Sequence, residues 1–330
     1  MQRRTISRSN VEVSVLGFGC WAIIGGFNWG PQDRSDSLAA LRAAYEAGIT
    51  FFDTAEGYGD GESERLLAEG LSDVRSEIAI ASKVSPSNYA ADALVTACER
   101  SLKNLNTDYI DLYQLHWPNR DIPVRQILDI LEGLKAAGKI RAYGVSNFGP
   151  ADLADSLSAG HAVCSNQLAY NLLFRAIEFE ILPLCLENDV SVLCYSPLMQ
   201  GLLTGKFKSA ADVPDDRART RHYPRSRSQA RHDEDGAVVE TFAAIQRIRE
   251  IAAKADQPMA ELALAWLMAQ EGVTSVIVGA RSAEQIQRNV RAAEAQPSAD
   301  LIAQLSAATE ELKNKLGPNS DMWESTSRMR

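Results

Sequence analysis

EIAIASKV (residues 77–84), flanked by FFDTAEGYG (51–59) and YIDLYQLHWP (109–118), decides the fold. The apolar run Ile78-Ala79-Ile80-Ala81 reads as a strand buried on both faces, the pattern of a parallel sheet. Each of the three stretches ends its apolar run on titratable side chains: Asp53 and Tyr58, then Lys83, then His116. A polar residue just past such a strand lies at the C-terminal edge of the sheet, the edge where barrel enzymes carry their chemistry.

On both sides of this stretch, strand-like and helix-like segments alternate. RRTISRSNVEVSVL (3–16) suggests a hairpin turning near Ser9-Asn10, and a buried strand then leads into Gly17-Phe18-Gly19. Helices follow near 35–47 (Ser35 as N-cap, Gly48 as stop), from Glu62, and over 90–104, 123–137, 150–159 and 175–188. Between and after them come the strands KIRAYGV (139–145), Ser165-Asn166-Gln167 and VSVLCYS (190–196). A helix near 258–270, the strand VTSVIVG (273–279) and a helix from Ser282 close the series. Eight βα units with no polar linker predict one (β/α)₈ barrel domain over residues 1–330 rather than an open doubly wound sheet.

Gly17-Phe18-Gly19-Cys20-Trp21-Ala22 matches the dinucleotide fingerprint in form, but IIGGFNWGP (23–31) continues as a loop. Without a helix starting inside the motif there is no helix N-terminus to meet a pyrophosphate, so a Rossmann site is not expected here.

A net charge of -9 and a pI near 5.1 argue against nucleic-acid or acidic-membrane partners. Five scattered cysteines without metal-like spacing suggest reduced core thiols and a cytoplasmic setting. MQRRTISRSN lacks the apolar stretch of a secretory signal, and no run approaches the roughly 20 apolar residues of a membrane span.

The four titratable residues make chemical sense as one unit. A phenol with a pKa near 10 is a poor acid at neutral pH unless a cation stabilises the phenolate it leaves. Lys83 supplies that cation, Asp53 keeps the buried lysine protonated, and His116 orients a substrate oxygen by a hydrogen bond. Taken singly, Asp53 reads as a capping or turn carboxylate, Tyr58 as a loop aromatic, Lys83 as a surface residue and His116 as a core histidine. Their common position after successive strands favours a proton-delivery site for a carbonyl.

DTAEGYGDGESERLLAEGL (53–71), ASKV (81–84), SLKNLNTDYIDLYQLHWP (101–118), AGKIRAYGVSNF (137–148), YSPLMQGLLTGK (195–206) and VGARSAEQIQRN (278–289) together resemble the aldo-keto reductase superfamily. The resemblance covers nearly the whole chain. It implies a TIM barrel that binds an extended nicotinamide cofactor without a Rossmann domain and reduces carbonyls. Asp53, Tyr58, Lys83 and His116 match the family's catalytic tetrad without substitution. It further implies that Ser146, Asn147 and Gln167 hydrogen-bond the nicotinamide carboxamide and that Tyr195 stacks on its ring. Ser196, Leu198, Gly201 and Lys206 match the pyrophosphate loop, and Gly279, Arg281, Ser282, Gln285 and Asn289 the adenosine end. Arg281 fits a ribose 2′-phosphate and favours NADPH; Gln285, where many members carry arginine, leaves NADH open. As plain structure, Ser282 reads as a helix cap and Gln285 and Asn289 as helix-surface amides.

Trp21 and Trp117 match positions near the family's active site, Trp21 also beside the cofactor. With Trp29 and Glu56 they form the expected substrate pocket, in which Glu56 would repel carboxylated substrates, although the indoles also suit rim packing and Glu56 a turn cap. The arginine-rich stretch 207–236 breaks the rhythm and reads as a lid over the cofactor phosphates or as a solvated loop. A small-molecule carbonyl is the implied partner, and self-association into a homo-oligomer stays open. No metal is expected. Two other readings remain in view. One is a cofactor-binding partner protein, since potassium-channel β-subunits share the barrel and the DTAE wording. The other is a Schiff-base aldolase using Lys83, which the neighbouring carboxylate and phenol suit less well.

Overall fold

The computed structural model describes residues 1–26 and 29–330. A two-stranded antiparallel hairpin, β1 (Arg3–Thr5) and β2 (Glu12–Ser14), precedes β3 (Leu16–Gly19), β4 (Phe51–Asp53), β5 (Ala79–Val84) and β6 (Ile110–Leu115). Then come β7 (Ile140–Ser146), β8 (Ser165–Ala169), β9 (Ser191–Tyr195) and β10 (Val273–Gly279). Strands β3 to β10 run parallel in chain order, and β10 pairs back onto β3 to close the barrel. The register sets Asp53 beside Ala81 and Lys83 beside Gln114. This is the (β/α)₈ barrel expected from the alternation.

Alternation along each strand divides the core in two. Phe51, Ala79, Ala81, Leu112, Ala142, Leu193 and Ile277 fill the barrel interior, and Ile6, Val11 and Val13 of the hairpin close its N-terminal end. Their neighbours Phe52, Ile80, Val145, Val192 and Val278 face outward and pack under the helices. Side chains two positions apart share a face. Reading on from the inward set therefore turns Asp53, Lys83, Gln114, Ser146 and Tyr195 into the upper mouth. Gly17 belongs to the same layer: a Cβ there would sit 2.7 Å from the Phe51 ring. The fingerprint-like glycine thus serves barrel packing, and the chain after it forms a short 3₁₀ turn, Ala22–Ile24.

Helices α1 (Arg34–Glu46), α2 (Glu62–Leu71), α3 (Ala91–Leu105), α4 (Val124–Ala136), α5 (Pro150–Ser158) and α6 (Ile181–Glu187) surround the barrel. The first begins one residue before Ser35, with Asp33 at the N-cap position, so Ser35 lies inside the helix; Gly48 ends it at φ 86°. The segment 175–188, expected as one helix, divides into a 3₁₀ turn (Ala176–Glu178) and α6. Proline fits only the first turn of a helix, and Pro183 therefore fixes where α6 starts. Helix α7 (Val238–Lys254) was not expected. It precedes α8 (Met259–Met268), and α9 (Ala283–Glu294), α10 (Ala299–Ala308) and α11 (Glu310–Leu316) complete the set. Beyond α11 the chain returns over the mouth, where the backbone N–H of Arg330 donates to Asp152 at 2.8 Å.

All five cysteines are free and buried. Among the described residues no helix is long and apolar enough to cross a membrane, and no cluster of His, Cys, Asp or Glu is placed to hold a metal.

Candidate active site

Lys83 is the centre of the mouth. Its side chain is 1% exposed, its ammonium lies 2.6 Å from Asp53 Oδ1, and it donates to the Thr54 carbonyl at 2.9 Å and toward the Tyr58 hydroxyl at 3.5 Å. Burial works to lower the Lys83 pKa, but Asp53 and Tyr58 outweigh it and leave it raised. The ammonium is thus charged at neutral pH. Asp53 is held in turn by Gln167, whose Nε2 donates to Oδ2 at 2.7 Å, and more loosely by Gln114 at 3.5 Å. Gln114 was missed in the sequence, although it stands two residues before His116 and so shares its inward face. Gln167 spends its amide N–H on Asp53, which leaves its Oε1 as the group free to meet a ligand.

Tyr58 and His116 meet edge to face with ring centroids 5.9 Å apart, and Trp21 stacks on the other side of Tyr58 at 5.7 Å. Burial raises the phenol's pKa, with Lys83 pulling the other way. His116 keeps part of its ring open to the mouth, yet burial and then the Lys83 charge pull it down to about 3. It is therefore a neutral imidazole at physiological pH. The four residues expected to act together stand together.

A second shelf lies beside them. Ser146 donates to the Gln167 carbonyl at 3.0 Å, and Asn147 donates to the His116 carbonyl at 3.1 Å while accepting from the Tyr195 hydroxyl at 2.8 Å. Asn147 is left-handed, at φ 61°. After Tyr195, positive φ at Ser196, Met199, Gln200 and Gly201 turns the chain sharply past Leu198 toward Lys206. Partial burial and then the Arg217 charge lower the Lys206 pKa, with Asp216 opposing. Among the described residues neither Lys206 nor Arg217 has a carboxylate in ion-pair range. Two neighbouring cations with no carboxylate in ion-pair range suit an anion, and a pyrophosphate fits that place.

At the far end, Ser282 caps α9 by accepting from the Gln285 N–H, and the Gln285 side chain accepts from the Arg281 N–H at 2.8 Å. Asn289 is buried on the same helix, and Gly279 ends β10. Arg281 does not project freely. Its guanidinium donates to Gln32 Oε1 at 2.6 Å, to the Trp29 carbonyl at 2.5 Å and to the Pro31 carbonyl.

The pocket residues divide. Trp21, Trp29 and Trp117 stand at the mouth, with Trp29 edge-on to Trp21 at 5.6 Å. Glu56 does not face substrate: its carboxylate accepts from Ser85 N at 2.7 Å and Asn88 Nδ2 at 2.8 Å, and pairs with Arg100. A carboxylate so engaged ties the loop after β5 to α3 and repels nothing in the pocket. The C-terminal chain adds members that the sequence did not reveal. Arg328 lies over the Trp117 ring at 3.9 Å, held by Asp321 at 2.7 Å, and the Trp323 indole approaches the Tyr195 hydroxyl. A lone tryptophan in SDMWESTSRMR (320–330) was the one available signal.

Residues 15–310 match the model of the aldo/keto reductase family. The chain is 34% identical over 298 residues to aldo-keto reductase YhdN of Bacillus subtilis, covering 87% of each. To the NADH-specific methylglyoxal reductase of Escherichia coli it is 30% identical over 315 residues, covering 88% of this chain and 93% of the other. The crystal structure of an aldo-keto reductase from Klebsiella pneumoniae in complex with NADPH superposes with a TM-score of 0.72 at 30% identity, covering 96% of both chains. With the barrel and its mouth already described, this match over most of the length leaves one conclusion: the chain belongs to the aldo/keto reductase family.

Proposed function

We propose that this protein reduces the carbonyl of an aldehyde or ketone to an alcohol, with NADPH as the preferred hydride donor and NADH as the second. The observation that carries this reading is the buried series Gln167, Asp53, Lys83, Tyr58, ending against His116. A bound nicotinamide supplies the hydride. The residues of the chain do the rest. The carbonyl oxygen sits between the Tyr58 hydroxyl and the neutral His116, whose ring N–H donates to it and fixes its direction. As the carbonyl carbon gains the hydride, the Tyr58 hydroxyl passes its proton to the oxygen. The Lys83 ammonium stabilises the phenolate left behind, and Asp53 keeps that ammonium charged. Solvent then returns the proton to Tyr58.

Tyr195 offers a ring for the nicotinamide to stack on, and Ser146, Asn147 and the free Oε1 of Gln167 offer the polar groups for its carboxamide. Lys206 and Arg217 take the pyrophosphate past Ser196, Leu198 and Gly201. Ser282, Gln285 and Asn289 border the adenosine. A 2′-phosphate at Arg281 would exchange backbone carbonyls for a charged acceptor, a stronger bond for a guanidinium. Arg217 also lies 5.8 Å from the Trp29 ring, a span that supports a lid role for 207–236. Free thiols throughout suit a reducing compartment, the cytoplasm.

The test is a fluorescence titration with NADPH and NADH, followed by a panel of aldehydes and ketones that includes methylglyoxal. Carbonyl-dependent oxidation of the bound cofactor is expected. Tight binding without turnover on any carbonyl would overturn the reading in favour of a cofactor-binding partner protein.

A further inference from the structure

The arginines of the 207–236 stretch fall into two groups. Arg221, Arg225 and Arg227 pair with Glu234, Asp235 and Asp215. For Arg217, Arg219 and Arg231 no carboxylate lies within ion-pair range among the described residues, in a protein whose net charge is -9. The unpaired arginines also differ in their contacts. Arg217 goes with Trp29, the Gln200 carbonyl and Lys206, the side assigned above to the cofactor phosphates. Arg219 has other neighbours: its guanidinium lies over the Trp323 ring at 4.8 Å, and Trp323 adjoins Tyr195. Its Nε is buried without a hydrogen-bond partner. Burial and then the Arg231 charge lower its pKa, with Asp216 opposing.

A buried guanidinium N–H without an acceptor is costly, and a second cation beside it adds to the cost. An anion at the guanidinium offsets the second cost and gives its remaining N–H groups an acceptor. Arg328 cannot serve the same purpose, since Asp321 and Glu324 already neutralise it. We propose that Arg219, backed by Arg231 and seated on Trp323, is the specificity-determining group of this reductase and receives a carboxylate or phosphate carried by the carbonyl substrate. This rests on the carbonyl-reductase reading and narrows it to carbonyl compounds with an anionic group, recognised at the rim while Tyr58 and His116 hold the reacting oxygen.

Two aldehydes of similar size separate charge from shape: 4-carboxybenzaldehyde and 4-nitrobenzaldehyde. Arg219→Gln should cut kcat/KM for the carboxylate on the order of tenfold to a hundredfold, mainly through KM, and leave the nitro compound within about twofold. Arg225→Gln, altering an exposed pair, should change neither. Equal losses on both aldehydes would make Arg219 merely structural, and weaker NADPH binding with an unchanged aldehyde ratio would return it to the cofactor; either result overturns the proposal. The alcohols 4-(hydroxymethyl)benzoate and 4-nitrobenzyl alcohol give the same comparison by tryptophan quenching, with and without NADP⁺. The benzoate should bind more tightly, and only while Arg219 is present. This arm needs no turnover, so an inactive protein would refute the reductase reading while the anion preference is still decided.

Discussion

Asp53, Tyr58, Lys83 and His116 differ in how their environments set their protonation, and the difference assigns their work. In the proposed reaction Tyr58 can donate its proton only because Lys83 is 3.5 Å away; the tyrosine without that neighbour would be a weak acid in an apolar cleft. Tyr58→Phe removes the donor and leaves Trp21 stacking and the cofactor shelf in place. Turnover should fall about a hundredfold to ten-thousandfold with NADPH affinity nearly unchanged, read by steady-state kinetics beside a fluorescence titration. His116, drawn down to about 3, is neutral from mildly acidic pH upward. The pH profile of kcat/KM for reduction should therefore show no limb near 6.5; an inflection there that disappears in His116→Gln would show that the imidazole titrates. The four residues could be read as a group because Asp53, Lys83 and His116 each follow an apolar run and Tyr58 comes five residues after Asp53. Glu56 misled because its neighbours Ser85, Asn88 and Arg100 come from later elements, and nothing near it in the chain announces them.

At the level of elements, the barrel strands were readable from their double-sided burial, and their inward parity delivers the site without further help. Elements beyond the barrel rhythm were not. Helix α7 begins directly after the irregular 207–236 stretch, and the C-terminal chain has no period at all. Helix α7 is fixed by packing against α10 and α11, and the C-terminal chain by long-range contacts, chiefly at Arg221. This buried arginine donates to Glu234 at 2.7 Å, to the Asn319 carbonyl at 2.9 Å and to the Leu316 carbonyl at 3.0 Å, while its backbone N–H meets the Met322 carbonyl at 2.9 Å. One side chain thus joins the loop, the end of α11 and the returning tail. Arg221→Met keeps the apolar stem but strands the carboxylate and two carbonyls, and should cost about 3–5 kcal/mol in urea unfolding. Hydrogen exchange should rise first in 317–330, and the carbonyl KM should rise with it, because Trp323 and Arg328 lose their support. Global destabilisation with the tail still protected would contradict this linkage.

For the whole molecule, charge is unevenly paired: in a protein of net charge -9, Lys206, Arg217, Arg219 and Arg231 have no carboxylate in ion-pair range among the described residues. The 207–236 stretch also links folding to pH. His222 anchors the 207–236 stretch from within, its Nε2–H donating to the Leu173 carbonyl at 2.9 Å and its Nδ1 facing Thr220 Oγ1 at 3.1 Å. Burial pulls His222 down to about 4, against a hydrogen bond to Leu173 that favours the charged form, and His116 lies at about 3. In the unfolded chain both would titrate near 6.5. Between about pH 4 and 6.5 the unfolded state therefore binds more protons than the folded one, and stability, complete above that range, is lost as pH falls through it. Two such groups give a slope of up to about 2.7 kcal/mol per pH unit near pH 5. His222→Gln can still donate to the Leu173 carbonyl and cannot titrate. Its unfolding free energy, measured in urea from pH 4.5 to 7, should fall less steeply than wild type by about one proton, so that the two curves converge toward acid. Parallel curves would mean that His222 is charged inside the fold, and the stretch would then be held by an imidazolium rather than by the neutral ring.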